Sequence, residues 1–238
     1  MKAPAITLLV LAGALAPATL AQASRVVVYT TNFESLTPDP HWTNCNIETG
    51  DWPHFTDFNG RHTNSYTEFS IAQPVLPPGG GGMPGPGDPG GGGGGGGGAG
   101  GGGQYAQFYV TFDLFTIDSW YGTLSSDRLI VTANNTDQLF NETFSTMAGY
   151  DQSFRLPNVG PVTMGFGATQ PDAIYRSIDL PFSVPVGEMI RLSWNDGGGL
   201  SGSWGIDNVT ISYELVPAPG SIGALAGLGA LALRRRRR

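Results

Sequence analysis

The sequence predicts an all-β sandwich. Three observations carry the prediction. Segments rich in Val, Ile, Thr, Phe and Tyr alternate with clusters of Gly, Pro, Asn and Asp. Sustained helical periodicity is absent. The candidate strands are short and recur between turn signals, as in two-sheet β folds. They cover Arg25–Phe33, Glu68–Val75, Tyr105–Ile117, Arg128–Ala133, Ala173–Val184, Glu188–Trp194 and Gly205–Leu215.

The first element in the chain is a leader. Lys2 supplies a positive start, Ile6 to Ala16 an apolar stretch, and Ala21-Gln22-Ala23 a small-x-small cleavage site. Residues 1–23 therefore read as a secretory signal peptide, removed by signal peptidase. The sandwich is assigned to residues 24–215. Within that body there are six arginines, no lysine and nineteen acids, a formal charge of −13. An acidic body without a basic patch argues against nucleic acid and against anionic membrane surfaces. Cys45 is the only cysteine, so no intrachain disulfide forms and the core must hold the fold.

Residues 77–103 form a Gly-rich insertion, nearly pure glycine from Gly79 to Gly103. Such a stretch cannot bury enough surface to offset its ordering entropy and is expected to be disordered. No Lys-Ser or Lys-Thr follows it, so it is not a phosphate-binding loop. A sandwich tolerates it, since each doubling of a flexible loop costs only about 0.6 kcal/mol.

In the next strand, "QFYVTFDLF", Phe108, Val110, Phe112 and Leu114 fall on one face and Gln107, Tyr109, Thr111 and Asp113 on the other. The alternation fails at Phe115 and Ile117, which predicts a bulge or a cover on both faces. Near the end of the body, "EMIRLSWNDGGGLSGSWGIDNVTISYEL" reads as a β-hairpin closed by glycine. The same alternation points Asp207 inward with Val209, where a carboxylate needs a partner.

Two of these stretches, "FDLFTIDSWYG" and "SWGIDNVTIS", resemble a family of exported bacterial jelly-roll domains. Its strands end in Asp-Ser-Trp-Asp-Gly and read Ser-Trp-Gly-Ile-Asp-Asn-Val. "NFES" and "ETFS" also fit, and Tyr121 departs from the family's usual Asp. The resemblance implies an antiparallel jelly-roll β-sandwich like those of concanavalin and carbohydrate-binding modules. Family members are mostly of unknown biochemical function. The tail, residues 216–238, resembles a PEP-CTERM sorting signal. Val216, Pro217, Ala218, Pro219 and Gly220 stand at the cleavage motif, with Ala218 in place of the usual Glu. An apolar segment follows, and then Arg234, Arg235, Arg236, Arg237 and Arg238. The implied partner is an exosortase-type membrane protease. The apolar run would rise only about 20 Å as a helix against a hydrocarbon core of about 30 Å. It therefore reads as a transient inner-membrane anchor, with the arginines kept inside as a stop-transfer block.

Four chemistries are candidates. Many jelly-roll carbohydrate-binding modules carry a structural Ca²⁺ between an early-strand acid and a last-strand acid. Here those are Glu34 and Asp207, with Asn208 adding oxygen; an ion pair of Asp207, or its carboxylate accepting turn N–H groups, is the competing reading. His41, His54, His62 and Cys45 cluster beside Asp51 and Asp57, but their spacing matches no known metal set and a polar loop is the competing reading. Trp120, Tyr121 and Trp204 flank loops and form a candidate polysaccharide surface, with core packing the alternative for both tryptophans. A glycan hydrolase is the most distant option. It needs two carboxylates on one face; Asp113 and Asp118 are five residues apart and fall on opposite faces of a regular strand. Sequons begin at Asn134, Asn141 and Asn208. The expectation is a non-enzymatic exported envelope or matrix protein, with carbohydrate binding as the alternative.

Overall fold

The computed structural model describes residues 24–35, 37, 39–49, 55–76, 105–125, 127–166, 170–198 and 202–214. The expected leader (residues 1–23), the Gly-rich insertion (77–103) and the expected sorting tail (216–238) lie outside these residues.

The described chain forms twelve strands: β1 (Arg25–Thr31), β2 (Trp42–Thr43), β3 (Ile47–Glu48), β4 (Phe58–His62), β5 (Tyr66–Ala72), β6 (Tyr105–Ile117), β7 (Arg128–Ala133), β8 (Asp137–Thr143), β9 (Val159–Val162), β10 (Asp172–Pro185), β11 (Met189–Asn195) and β12 (Ser203–Glu214). They make two antiparallel sheets packed as a sandwich. The larger sheet runs β3-β4-β12-β6-β10-β9, with β1 also paired to β12; the smaller runs β2-β5-β11-β7-β8. The edge of β12 opposite β6 is shared, β4 taking Trp204 to Ile206 and β1 taking Val209 to Glu214.

Period-two patterning builds the core between the sheets. Phe108, Val110, Phe112 and Leu114 of β6 meet Leu129 and Val131 of β7 and Ile190, Leu192 and Trp194 of β11 in one buried cluster. Phe115 and Ile117 fall on the opposite face and enter a second cluster with Ile174, Phe55, Phe58 and Met164. Strand β6 is thus covered on both faces at its far end, as its broken alternation predicts. The close approach of Phe58 depends on glycine. A Cβ on Gly205 or on Gly60, its partner across the ladder, would lie 2.4 Å from the Phe58 ring.

Two expectations are corrected. β11 and β12 do not form a hairpin. Both edges of β11 are occupied, by β5 and β7, and the segment after Asn195 carries the chain across to the other sheet. Asp207 does not share a face with Val209. The register of β12 against β6 shifts between Asp207 and Thr210, and Asn208 sits at φ 51°. This bulge sets Asp207 opposite Asp113, on the outer face, while Val209 stays in the core.

Candidate functional site

Two regions concentrate polar and aromatic side chains. The first centres on Asp113. Both neighbours of β6 bulge at its level: β12 at Asn208, and β10 between Tyr175 and Ile178, where Ser177 has φ 54°. Asp113 ties the bulges together. It accepts from the Ser177 N–H at 2.7 Å, from Asn208 Nδ2 at 3.1 Å and from the Arg176 guanidinium at 3.4 Å. Beside it, Asp207 Oδ1 accepts from the Asn208 N–H at 2.6 Å; Oδ2 accepts from the Thr56 hydroxyl at 2.6 Å and from Asn208 Nδ2 at 3.2 Å. Asp207 is only 1% exposed. Burial pushes its pKa up to about 6 against these hydrogen bonds, and the charges of Asp113 and Glu34 add to the rise.

Glu34 is thus within electrostatic reach of Asp207. The remaining contacts of Asp207 and Asn208 are with protein donors and acceptors. Calcium takes six to eight oxygens, whereas Asp207 is met by N–H and O–H donors and Asn208 presents its amide nitrogen to both carboxylates. Protein donors answer the charge instead.

The two described histidines, His41 and His62, stand at different sheets. His62 ends β4 in the large sheet, stacks on Trp204 at 4.6 Å and bonds Asn59 Oδ1 through Nε2 at 3.0 Å. Burial takes its pKa down to about 4, against the pull of Asp196. His41 precedes β2 in the small sheet, with Nδ1 2.6 Å from Asp39. Burial, with Asp39 adding, pushes the Cys45 thiol up to about 11. His54 and Asp51 lie outside the described residues, and Asp57 has partners of its own. Among the described residues no group of three or more His, Cys, Asp or Glu is placed to hold a metal ion.

The second region is the edge that follows β6. Trp120 and Trp204 are fully buried, which removes both from any sugar-facing surface. Their indole N–H groups are spent inside, on the Ser203 carbonyl at 3.0 Å and on Asp196 Oδ2 at 3.2 Å. Trp120 instead serves as a footing. Its N–H bonds the Thr146 hydroxyl at 2.9 Å, and its carbonyl accepts from the N–H of Thr146 at 3.0 Å.

Tyr121 stands above this footing, half-buried. Its N–H is held by Asp127 Oδ2 at 2.6 Å. Asp127 is 1% exposed, and among the described residues its other oxygen has no hydrogen-bond partner. A short 3₁₀ turn, Gly122–Leu124, follows. Gly122 adopts φ 62°, and a Cβ there would lie 1.9 Å from the Asp151 carbonyl oxygen. Glycine is thus required to seat the turn on Asp151, whose carbonyl accepts from the Thr123 N–H at 2.9 Å. This contact brings Tyr121 against Tyr150, edge to face at 5.3 Å between ring centroids.

A cleft of about 300 Å³ opens beside Tyr150. Met147, Phe154, Leu156, Pro157 and Pro161 form its apolar wall; Asp151 and Gln152 are polar members. Gln152 pins the loop. Its Oε1 accepts from Ser145 N at 2.9 Å and from the Tyr175 hydroxyl at 3.0 Å, and its Nε2 donates to the Phe154 carbonyl at 3.1 Å. Tyr150 is 38% and Leu156 81% exposed, and Asp151 is exposed as well. A second cleft, of about 350 Å³, involves Thr31, Ser35, Thr37 and Asp39. Its carboxylate is already engaged by His41 and by the Tyr29 hydroxyl at 2.9 Å.

Of the residues named from the sequence, the structure leaves Tyr121 as the one partly open ring. Tyr150, Asp151 and Asp127 were not foreseen. "Gly149-Tyr150-Asp151" carries a turn signal with an aromatic and an acid, but its meeting with Tyr121 is tertiary. Among the described residues no helix is long and apolar enough to cross a membrane. Comparison of the chain with protein-family models, with curated proteins and with solved structures finds no match.

Proposed function

We propose that this chain is an exported envelope or matrix protein whose sandwich, a jelly roll in our reading, holds polysaccharide at the Tyr121–Tyr150 edge. The observation that carries the proposal is the pairing of two partly open tyrosines beside a rigid, apolar-walled cleft. Flat aromatic faces suit pyranose rings, and an apolar-walled cleft with a few polar groups suits a hydroxylated sugar surface. The test is retention of the protein on insoluble polysaccharides, repeated with Tyr121→Ala and Tyr150→Ala. Retention of the parent protein, lost in both variants, supports the site. Failure of the parent to be retained on any polysaccharide reduces the role to surface display.

Export and sorting form the other half of the proposal. They rest on the leader at 1–23 and on the order of proline motif, apolar run and arginine block at the tail. An exosortase-type protease would release the body near Pro217–Gly220 after transient anchoring. The intact mass of the protein from its native host tests this: a chain still ending at Arg238 overturns it.

A further inference from the structure

We infer that the Tyr121–Tyr150 edge selects an amine-bearing polysaccharide, a polymer of de-N-acetylated hexosamine, over neutral and anionic ones. The inference rests on the polysaccharide reading of that edge and adds the charge of the ligand to it.

The first ground is local. Tyr121 and Tyr150 meet edge to face at 5.3 Å, and the exposed carboxylate of Asp151 follows Tyr150 directly in the cleft wall. Aromatic faces and a carboxylate together are the chemistry that holds an ammonium group, through the ring quadrupole and through charge. Behind Tyr121 lies a second carboxylate, that of Asp127, 1% exposed and with one oxygen unpartnered among the described residues. Among the described residues the cleft wall contains no cation of its own, although the Arg155 guanidinium stands over the ring of its Phe154 at 5.4 Å. Arg155, the nearest cation in sequence, is held by Asn158 at 3.1 Å and by the carbonyl of Arg176.

The second ground is global and independent of the cleft. The body carries nineteen acids against six arginines and has no lysine. Arg25 is committed to Asp179, Arg61 to Asp118 and Arg176 to Asp113. A uronic-acid or sulfated polymer would approach a surface of its own sign and find these guanidinium groups already paired. A polycation is drawn in. The amine supplies the charge, and the sugar ring supplies the face that stacks on tyrosine.

Oligomers of one backbone in its de-N-acetylated and its N-acetylated forms, titrated into the full chain by calorimetry in mildly acidic buffer, provide the test. Alginate oligomers serve as the anionic control. The expected result is binding of the amine form about fivefold or more tighter than the acetylated form at low salt. Raising the salt should shrink that advantage. Asp151→Asn should remove most of the preference while sparing residual binding, and Tyr150→Ala should weaken both forms. Equal or tighter binding of the acetylated form, still sensitive to Tyr150→Ala, would overturn the inference and leave the polysaccharide site standing. Preference for the amine form that is indifferent to Asp151→Asn would also overturn it, since the attraction would then belong to the acidic surface at large. Binding of neither form removes both readings.

Discussion

The Asp113 region and the Tyr121 edge both gather polar groups at places where the strand pattern breaks, yet they end in opposite states. Around Asp113, donors at the two bulges are answered within the protein: Ser177 and Asn208 by Asp113, Asn208 again by Asp207 beside Thr56, and the Arg176 N–H by Asn158 Oδ1. At the Tyr121 edge the backbone is tied down just as firmly, by Asp127, Gln152 and the Trp120 carbonyl, but the side chains above it are left open. A satisfied polar cluster is architecture, because its hydrogen bonds are consumed in holding the chain. A rigid base under exposed rings and an exposed acid retains capacity for a ligand.

The contrast is tested most severely at Asp113. Asp113→Ala strands the Ser177 N–H, leaves the Asn208 amide only its bond to Asp207 and deprives Arg176 of its acid. We expect a loss of about 3 kcal/mol in urea unfolding. A loss below about 0.5 kcal/mol would mean that the bulges hold themselves and that Asp113 is not their tie. Next in size is Gly205→Ala. The added methyl meets the Phe58 ring at 2.4 Å, in the cover of the outer face, and overpacking of this kind costs about 2 kcal/mol. An unchanged midpoint would show that Phe58 can swing aside and that the second cluster is loosely packed.

Asp207 gives a smaller effect with a definite sign. Its folded pKa is raised to about 6 from an ordinary 3.8. The stabilisation from its protonated form is full below the ordinary value and is lost as the pH rises through about 6. Asp207→Asn, which cannot ionise, should therefore gain on the parent protein between about pH 4 and pH 7. Parallel melting curves for the two proteins across that window would contradict the burial of the charge. At the upper end of the window, calcium should leave the parent's melting midpoint unchanged. A rise with calcium, reversed by EDTA, would restore the Glu34–Asp207 cation site.

How much of this was legible beforehand follows from what strand patterning can encode. β6 and β7 were read to their end residues, because alternation over "YAQFYVTFDLFTI" and "RLIVTA" is a local property. β4 was invisible. "FNGRH" holds a glycine and three polar residues, and its burial arises from tertiary partners such as Asn59 with Thr67 at 2.9 Å. β8, "DQLFNET", has one buried side chain, Phe140, and so offers no face to read. The inward direction assigned to Asp207 failed at a single residue, since one bulge reverses every side chain beyond it. The hairpin reading failed for a related reason: adjacency in sequence does not reveal that both edges of β11 are already taken. At the Tyr121 edge the sequence yielded one ring of two, because the other lies twenty-nine positions on, and the turn that joins them depends on Gly122 meeting a distant carbonyl.

The least disruptive substitution separates the two regions most cleanly. Tyr150 is 38% exposed, and among the described residues its one aromatic partner is Tyr121. Its truncation removes an edge-to-face contact worth about 1 kcal/mol and opens no sealed cavity. Tyr150→Ala should therefore lower the melting midpoint by no more than roughly 2–4 °C. The same change removes the face on which a sugar ring would rest, so retention on polysaccharide should fall far more than stability does. The two readouts must diverge if the edge is kept for a ligand, because a residue that only supports the fold loses binding in proportion to the folded fraction. A drop in stability as large as that of Asp113→Ala would place Tyr150 among the architectural groups, and the distinction between a closed polar cluster and an open aromatic edge would collapse.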